Sequence, residues 1–379
     1  MPLFSEFTAD AEKLRRWLFD AALPLWWRLG ADHVLGGYHE RLDCNGNPVR
    51  LPRPPRVAAR QAFCYSEAGR LGWDGPWRAA GQHALDFLRE RFVQTDGTVI
   101  TSVDQQGNVL DAGFDLYNQA FALLAYACGH STIDPSGGWR SRAHALIGTL
   151  KRDFAHAGGG FREDRAGRMP LRANPHMHLL ESALVWCAID GHAIWRDVAD
   201  EIAALCLGRF IETDGGALRE IFDNNWMPTL GADCEVIEPG HHYEWAYLLA
   251  QWADVTGRDR PSAISALISF ADAHGIDPAR RVAVNGVGIF GGVRNPVARL
   301  WPQTERIKAY LIDRGDRDDG RLREAIDSLY RYLDAPLAGL WYENLAADGR
   351  FVFEPAPATS LYHIVGAIAK LSASFEAHD

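Results

Sequence analysis

Lysine is nearly missing from this chain. Lys13, Lys151, Lys308 and Lys370 are the only lysines among 39 basic residues. Arginine carries the rest, a bias of the kind a GC-rich genome produces. The formal charge is −10 and no basic stripe overrides it, so polyanions are repelled and neither a nucleic acid nor an anionic membrane fits as partner. No stretch approaches the length of a membrane span, and Met1 to Leu18 turns charged without an apolar signal core, which points to the cytoplasm. The six cysteines, Cys44, Cys64, Cys128, Cys187, Cys206 and Cys234, have no paired spacing and read as reduced core residues. P-loop, dinucleotide glycine fingerprint and Gly-x-Ser-x-Gly elbow are all missing. Nucleotide-dependent hydride transfer and serine hydrolysis therefore have no support.

What is present is an ordinary core-forming composition, 47% hydrophobic and 23% charged, and an internal repeat. A short phrase of glycines, an aromatic or aliphatic residue, a charge and an acid or Asn occurs at Gly36-Gly37-Tyr38-His39-Glu40 and at Gly159-Gly160-Phe161-Arg162-Glu163. Looser copies begin at Asp96, Asp214, Val287 and Gly339. Counted from Gly37 through Gly97, Gly160, Gly216 and Gly288 to Gly339, the intervals are 60, 63, 56, 72 and 51 residues. Each phrase has the turn residues of a short β-hairpin.

Between the phrases, apolar residues recur at helical spacing, as in Trp77 to Phe92, Tyr117 to Ala127, Trp139 to Phe154, Met177 to Ile189, Val198 to Phe210, His241 to Val255 and Leu322 to Leu333. About two helices fit in each interval. The expectation is an all-α fold, an α/α toroid of six helix hairpins spanning residues 1–379 as one domain, with short β-hairpins in the connecting loops at one mouth. A linear solenoid is the alternative. The intervals are longer than those of helical solenoids and each carries a hairpin, which favours the closed ring.

Three polar phrases stand at helix starts. In Gly240-His241-His242-Tyr243-Glu244-Trp245, His241 and Glu244 share a helix face, as do His178 and Glu181 in Asn174-Pro175-His176-Met177-His178-Leu179-Leu180-Glu181. His363 precedes an apolar helix. The plain reading is a solvated first turn or a hydrogen-bonded core histidine; two copies of His-x-x-Glu argue for joint chemistry. Arg60 sits among apolar helical residues and must find a carboxylate or face a wet pocket. Among thirteen tryptophans, Trp245, Trp301 and Trp341 lie in polar phrases, where they either pack in the core or offer a face to sugar C–H groups. A lone His-x-x-Glu pair lacks the two-histidine helical zinc geometry, so no metal is expected.

In order along the chain, the Arg-x-x-Phe-x-Tyr-Ser phrase at Arg60, Asn-x-x-Met-His-x-x-Glu at His178, Gly-His-x-x-Glu at His241, Trp301-Pro302-Gln303-Thr304-Glu305 and Tyr362-His363 resemble the N-acylglucosamine 2-epimerase superfamily over nearly the whole chain. That family includes mannose isomerases, sulfoquinovose-related isomerases and cellobiose 2-epimerases. The resemblance implies a six-hairpin toroid and sugar chemistry without metal or nicotinamide. His241 and His363 would flank an open-chain monosaccharide, with His178 and Glu244 assisting and Arg60 steadying an enediolate. Tyr117, Asn174, Glu181, Trp245, Trp301 and Glu305 are the expected sugar-binding residues. Proton return to C1 makes a ketose; delivery to C2 makes an epimer. The Glu244-Trp245 pairing resembles the mannose isomerase branch, so a mannose–fructose type isomerase, monomeric or homodimeric, is favoured over a 2-epimerase. The lack of a phosphate-cradling loop speaks against a phosphorylated sugar. An inverting glycosidase using Asp115, Glu244 or Glu305 and a non-catalytic carbohydrate-binding protein are the rival classes.

Overall fold

A computed structural model of the chain describes residues 2–212, 215–229, 231, 234–313 and 320–375, with side chains from Glu6 onward. Asp214, which heads one glycine phrase, lies outside the described residues. Among the described residues, twelve helices of three or more turns alternate between two rings. The inner ring holds α2 (Pro55–Arg70), α4 (Leu116–Cys128), α6 (Ala173–Asp190), α8 (Pro239–Thr256), α10 (Leu300–Ile312) and α12 (Ser360–Phe375). The outer ring holds α1 (Pro2–Trp17), α3 (Trp77–Arg91), α5 (Trp139–Thr149), α7 (Ala193–Leu205), α9 (Ala263–Gly275) and α11 (Gly320–Leu333).

Each inner helix packs on the next inner helix, and α12 packs back on α2, so the ring closes. The solenoid alternative is thereby excluded. Sequence explains which helix goes where. In α4 every residue but Tyr117 is buried, because an apolar surface all round needs neighbours on both sides. In α11 burial falls on Leu322, Ala325, Ile326, Leu329, Tyr332 and Leu333, one stripe facing inward from an arginine-rich exterior.

The glycine phrases are the turns that lead from outer to inner helices. The same backbone bond closes all six: His39 N–H to Gly30 O (2.9 Å), Ile100 to Phe92 (3.0 Å), Arg162 to Phe154 (2.7 Å), Arg219 to Phe210 (2.7 Å), Val284 to Gly275 (2.9 Å) and Tyr342 to Tyr332 (2.9 Å). A left-handed residue precedes each donor: Gly37, Gly97, Gly160, Gly216, Arg281 and Gly339. The fifth is a correction to the sequence reading. Gly288 belongs to a later strand, Gly286–Gly288, and Arg281 (φ 59°) occupies the place that glycine holds elsewhere. Counting Gly216 to Arg281 and Arg281 to Gly339 replaces the uneven 72 and 51 with 65 and 58 residues.

Polar residues from the inner helices pin four of these turns. Gln119 brackets Val99 through its amide, Nε2 of His176 accepts from Phe161 N–H (2.9 Å), Nε2 of His242 accepts from Leu218 N–H (3.0 Å), and Gln303 brackets Ala283. The accepting state is the neutral one, and burial pushes both histidines down to about 4.

Short antiparallel pairs then join neighbouring excursions around the mouth: Leu171–Arg172 with Ile221–Phe222, Val236–Ile237 with Gly286–Gly288, Ala298–Arg299 with Asn344–Leu345, and Arg41–Leu42 with Ala356–Pro357. An isolated bridge joins Arg53 to Val103. Among the described residues no such pairing joins the second excursion to the third. A cavity of about 440 Å³ lies there, lined by Thr101, Asp111, Phe114, Asp115, Glu163 and Arg172.

Candidate active site

All inner helices run the same way, so their first turns converge beneath the mouth. Their first two to three turns carry Arg60, Tyr117, Asn174, His178, Glu181, His241, Glu244, Trp301, Glu305 and His363, the sequence-expected residues other than Trp245. The contacts that follow join them across helices.

The ring of Trp301 lies 5.0 Å from that of His241 and 5.6 Å from that of His363. Its seat depends on Gly240, where a Cβ would come within 2.5 Å of the indole. Both imidazoles are held through Nδ1 by a carboxylate: His241 by Glu220 at 2.8 Å and His363 by Glu305 at 2.8 Å. An ionised carboxylate only accepts, so each Nδ1 carries a proton and each Nε2 is the working atom.

Their electrostatics differ. Burial opposes charge on His241, but Glu220, Glu238 and Glu244 outweigh it and raise the imidazole to about 10. Burial, reinforced by the cations Arg60 and Lys308, holds His363 well below its ordinary value. At neutral pH His241 is therefore held protonated and His363 neutral. A protonated Nε2 on His241 needs an acceptor, and Asn174 stands 3.2 Å away. Turning that amide over puts its otherwise unpaired Oδ1 against the imidazolium and satisfies both.

His178 gives its Nδ1 to Glu181 Oε2 (3.1 Å), packs edge-on to Tyr117, and lies with Nδ1 3.9 Å from Glu244. Burial lowers it. The Tyr362 hydroxyl donates to the other oxygen of Glu181. Glu244 is fully enclosed, and burial with the nearby Glu305 charge pushes its carboxyl well up. Arg60 donates to the Tyr117 hydroxyl (2.6 Å) and to Thr359 O (3.2 Å), and stacks 4.3 Å over Phe121. Among the described residues no carboxylate lies within ion-pair distance of it, so this buried cation is not part of a structural pair. It is placed to meet negative charge formed in the site.

Trp245 is not brought to this cluster. It follows Glu244 and so points about 100° further round the helix; it is fully buried and meets Phe210 edge-on at 5.9 Å. Trp341 likewise stacks on Trp26 in the core. Asp115, a carboxylate open to glycosidase duty, instead caps α4 by accepting from Tyr117 N–H at 2.9 Å.

Two functional residues were missed in the sequence. Glu220 ends the fourth glycine phrase, and the acid that closes such phrases was its signal. Lys308, one turn beyond Glu305, is an ammonium 2.5 Å from that carboxylate, marked only by the rarity of lysine.

One trio among the described residues, Glu244, Glu305 and His363, has ligand atoms within 4.8 Å of one another. The donor set fits a metal poorly: Lys308 already supplies a cation 2.5 Å from Oε2 of Glu305, and the other oxygen of that carboxylate engages Nδ1 of His363.

The sequence profile of the N-acylglucosamine 2-epimerase (GlcNAc 2-epimerase) family matches residues 36–367. A protein of Rhizobium meliloti (strain 1021) named mannose-6-phosphate isomerase is 41% identical over 374 residues, covering 96% of each chain. In solved structures, a D-mannose isomerase superposes with a TM-score of 0.85 at 18% identity over 97% of both chains. The cellobiose 2-epimerase of Bacillus thermoamylovorans B4167 gives 0.83 at 18% identity over 95% of this chain and 98% of its own. The chain therefore belongs to the N-acylglucosamine 2-epimerase family and is a carbohydrate isomerase or epimerase.

Proposed function

We propose that the protein interconverts D-mannose, or a close relative such as D-lyxose, with the corresponding ketose through a cis-enediolate. The observation that carries this reading is the pair of carboxylate-held imidazoles on either side of Trp301, one charged and one neutral. Nε2 of His363 takes the C2 proton of the open-chain aldose. Charge then develops on O1 and O2, where Arg60 and the His241 imidazolium stabilise it. Return of the proton to C1, with the O2 hydroxyl proton passing to O1, gives the ketose. The apolar face of Trp301 packs against sugar C–H groups, with Asn174, Tyr117, Glu181 and His178 left for hydroxyls. Residues 1–379 act as one domain, alone or as a homodimer, in the cytoplasm, with no cofactor.

Delivery of the proton by His241 to the opposite face of C2 would instead give the 2-epimer, and family membership keeps that reading open. The names of two relatives favour the isomerase. One of those names also raises a phosphorylated sugar. The crowding of Glu181, Glu220, Glu238, Glu244 and Glu305 around the site speaks against a dianionic substrate, since Lys308 is already engaged by Glu305.

Incubation in D2O with mannose, mannose 6-phosphate, glucose, N-acetylmannosamine and cellobiose, followed by NMR, tests this. Deuterium at C1 of fructose from mannose is expected. Deuterium at C2 of an epimer would replace the isomerase with the epimerase, preference for the phosphate ester would correct the substrate, and no incorporation from any sugar would leave a binding protein. Activity should survive exhaustive chelation.

A further inference from the structure

Lys308 stands out twice: as one of four lysines in an arginine-dominated chain, and as an almost completely buried ammonium. Its Nζ lies 2.5 Å from Oε2 of Glu305, whose Oε1 lies 2.8 Å from Nδ1 of His363. The three groups form a line from α10 to α12. Tyr247 covers the ammonium from α8, with its ring centroid 4.9 Å from Nζ, and Glu244 and Glu181 are the other acids that act on it.

The line has a consequence for the histidine. Glu305 has no exposure to solvent, and a carboxyl in such a place tends to hold its proton. A protonated Glu305 would donate to Nδ1 of His363 and drive the imidazole proton onto Nε2, where it would block proton removal from the sugar. An ammonium on the far oxygen counters this by favouring the carboxylate against burial.

We infer that Lys308 is a positioning residue that keeps Glu305 a pure acceptor and thereby fixes the Nδ1–H tautomer of His363, leaving Nε2 bare for the sugar. The inference rests on the reading of His363 as the base. Lysine places one compact point charge on a flexible stem between Glu305 and the Tyr247 face.

A second feature makes the idea testable by chemical rescue. Lys308 lines a cavity of about 310 Å³ together with Glu181, Tyr247, Gln251, Tyr362 and Lys370. Removal of the side chain in Lys308→Ala leaves a slot that a small alkylammonium ion can enter from that cavity.

The experiment combines kinetics with ¹⁵N NMR of labelled histidine. Lys308→Met should lower kcat on the order of 100-fold with KM within threefold. Lys308→Ala should regain at least tenfold in n-propylammonium and nothing in the bulkier tetramethylammonium. In the wild-type protein His363 should show a protonated Nδ1 and a bare Nε2, and in Lys308→Met the reverse. A kcat within threefold of wild type in Lys308→Met, no rescue by propylammonium, or an Nε2–H tautomer in the wild type would each overturn the inference, the last without any variant having to fold. Full activity in His363→Ala would overturn the base assignment instead, while the NMR arm would still report whether Lys308 sets the tautomer.

Discussion

Oε1 of Glu220, the last residue of a mouth turn, lies 2.8 Å from Nδ1 of His241 in the first turn of an inner helix. The pairing ties the fourth mouth turn to the inner helix that follows it. It also maintains the imidazolium against burial. In Glu220→Gln the neutral amide no longer opposes desolvation, so His241 should fall from about 10 toward its ordinary range. We expect the alkaline limb of the kcat/KM profile to move down by at least one pH unit, with kcat at pH 8 reduced tenfold or more. The pair also couples to stability. A histidine raised on folding contributes stability that is fully present below 6.5 and lost as pH rises through about 10. Urea midpoints of wild type and His241→Asn should accordingly converge across that window.

Glu163 tests the opposite sign. Burial raises its carboxyl to about 7, with Arg172 only partly compensating. An acid raised on folding favours the native state while it is protonated, and that advantage is lost as pH climbs from 4.5 to about 7. Glu163→Gln keeps an acceptor for Arg172 N–H, now 3.1 Å from the carboxylate, and removes the charge. Thermal unfolding should find the variant about 1–2 kcal/mol more stable than wild type at pH 8. Below pH 5 the difference should vanish; a constant offset at both pH values would show that the gain has another origin.

The repeat itself predicts which substitution His242 tolerates. It does for the fourth turn what Gln119 and Gln303 do for the second and fifth. His242→Ala leaves a buried Leu218 N–H unsatisfied and should cost about 1–3 kcal/mol. His242→Gln should cost less than about 1 kcal/mol, since an amide oxygen can accept in the same place. Equal losses by urea denaturation would mean that ring packing on Phe270, stacked at 4.9 Å, outweighs the hydrogen bond.

Arg281 is the one non-glycine among the six left-handed turn positions. Its side chain is exposed and its carbonyl, which accepts from Arg306, survives any substitution. Arg281→Gly should therefore stabilise the fold by about 0.5–1 kcal/mol, the relieved Cβ strain exceeding the added chain entropy. A fall in melting temperature would count against the strain argument.

The same arginine shows where the sequence stopped being legible. Five turns announce themselves because a positive φ selects glycine; at Arg281 local packing tolerates the strain and the signal disappears, so Gly288 was counted instead. Helix positions read well, since burial on one side or both leaves its imprint on composition, as in α11 and α4. In the site, His-x-x-Glu spacing led to His178 and Glu181, which do share a face and touch. His241 and Glu244 share a face too, yet the carboxylate on His241 comes from Glu220, 21 residues earlier. A partner supplied by the preceding turn, outside the helix, leaves no helical spacing to read. Trp245 misled for a related reason: a tryptophan beside a catalytic-looking glutamate points wherever the next 100° of helix points, here into the core.

The pairing of Arg41–Leu42 with Ala356–Pro357 joins segments more than 300 residues apart. It brings the last inner helix, and with it His363, against the first. During synthesis or refolding the hairpins can stack from neighbour contacts, α12 on α10 included, but Arg60 on α2 meets Thr359 and the helix of His363 only when the ring closes. Recovery of catalysis should thus be the slowest observable in refolding, lagging the return of helical signal. The enzyme carries its own reporter of ring closure, and an arc of fewer than six hairpins, however well ordered, should be inert.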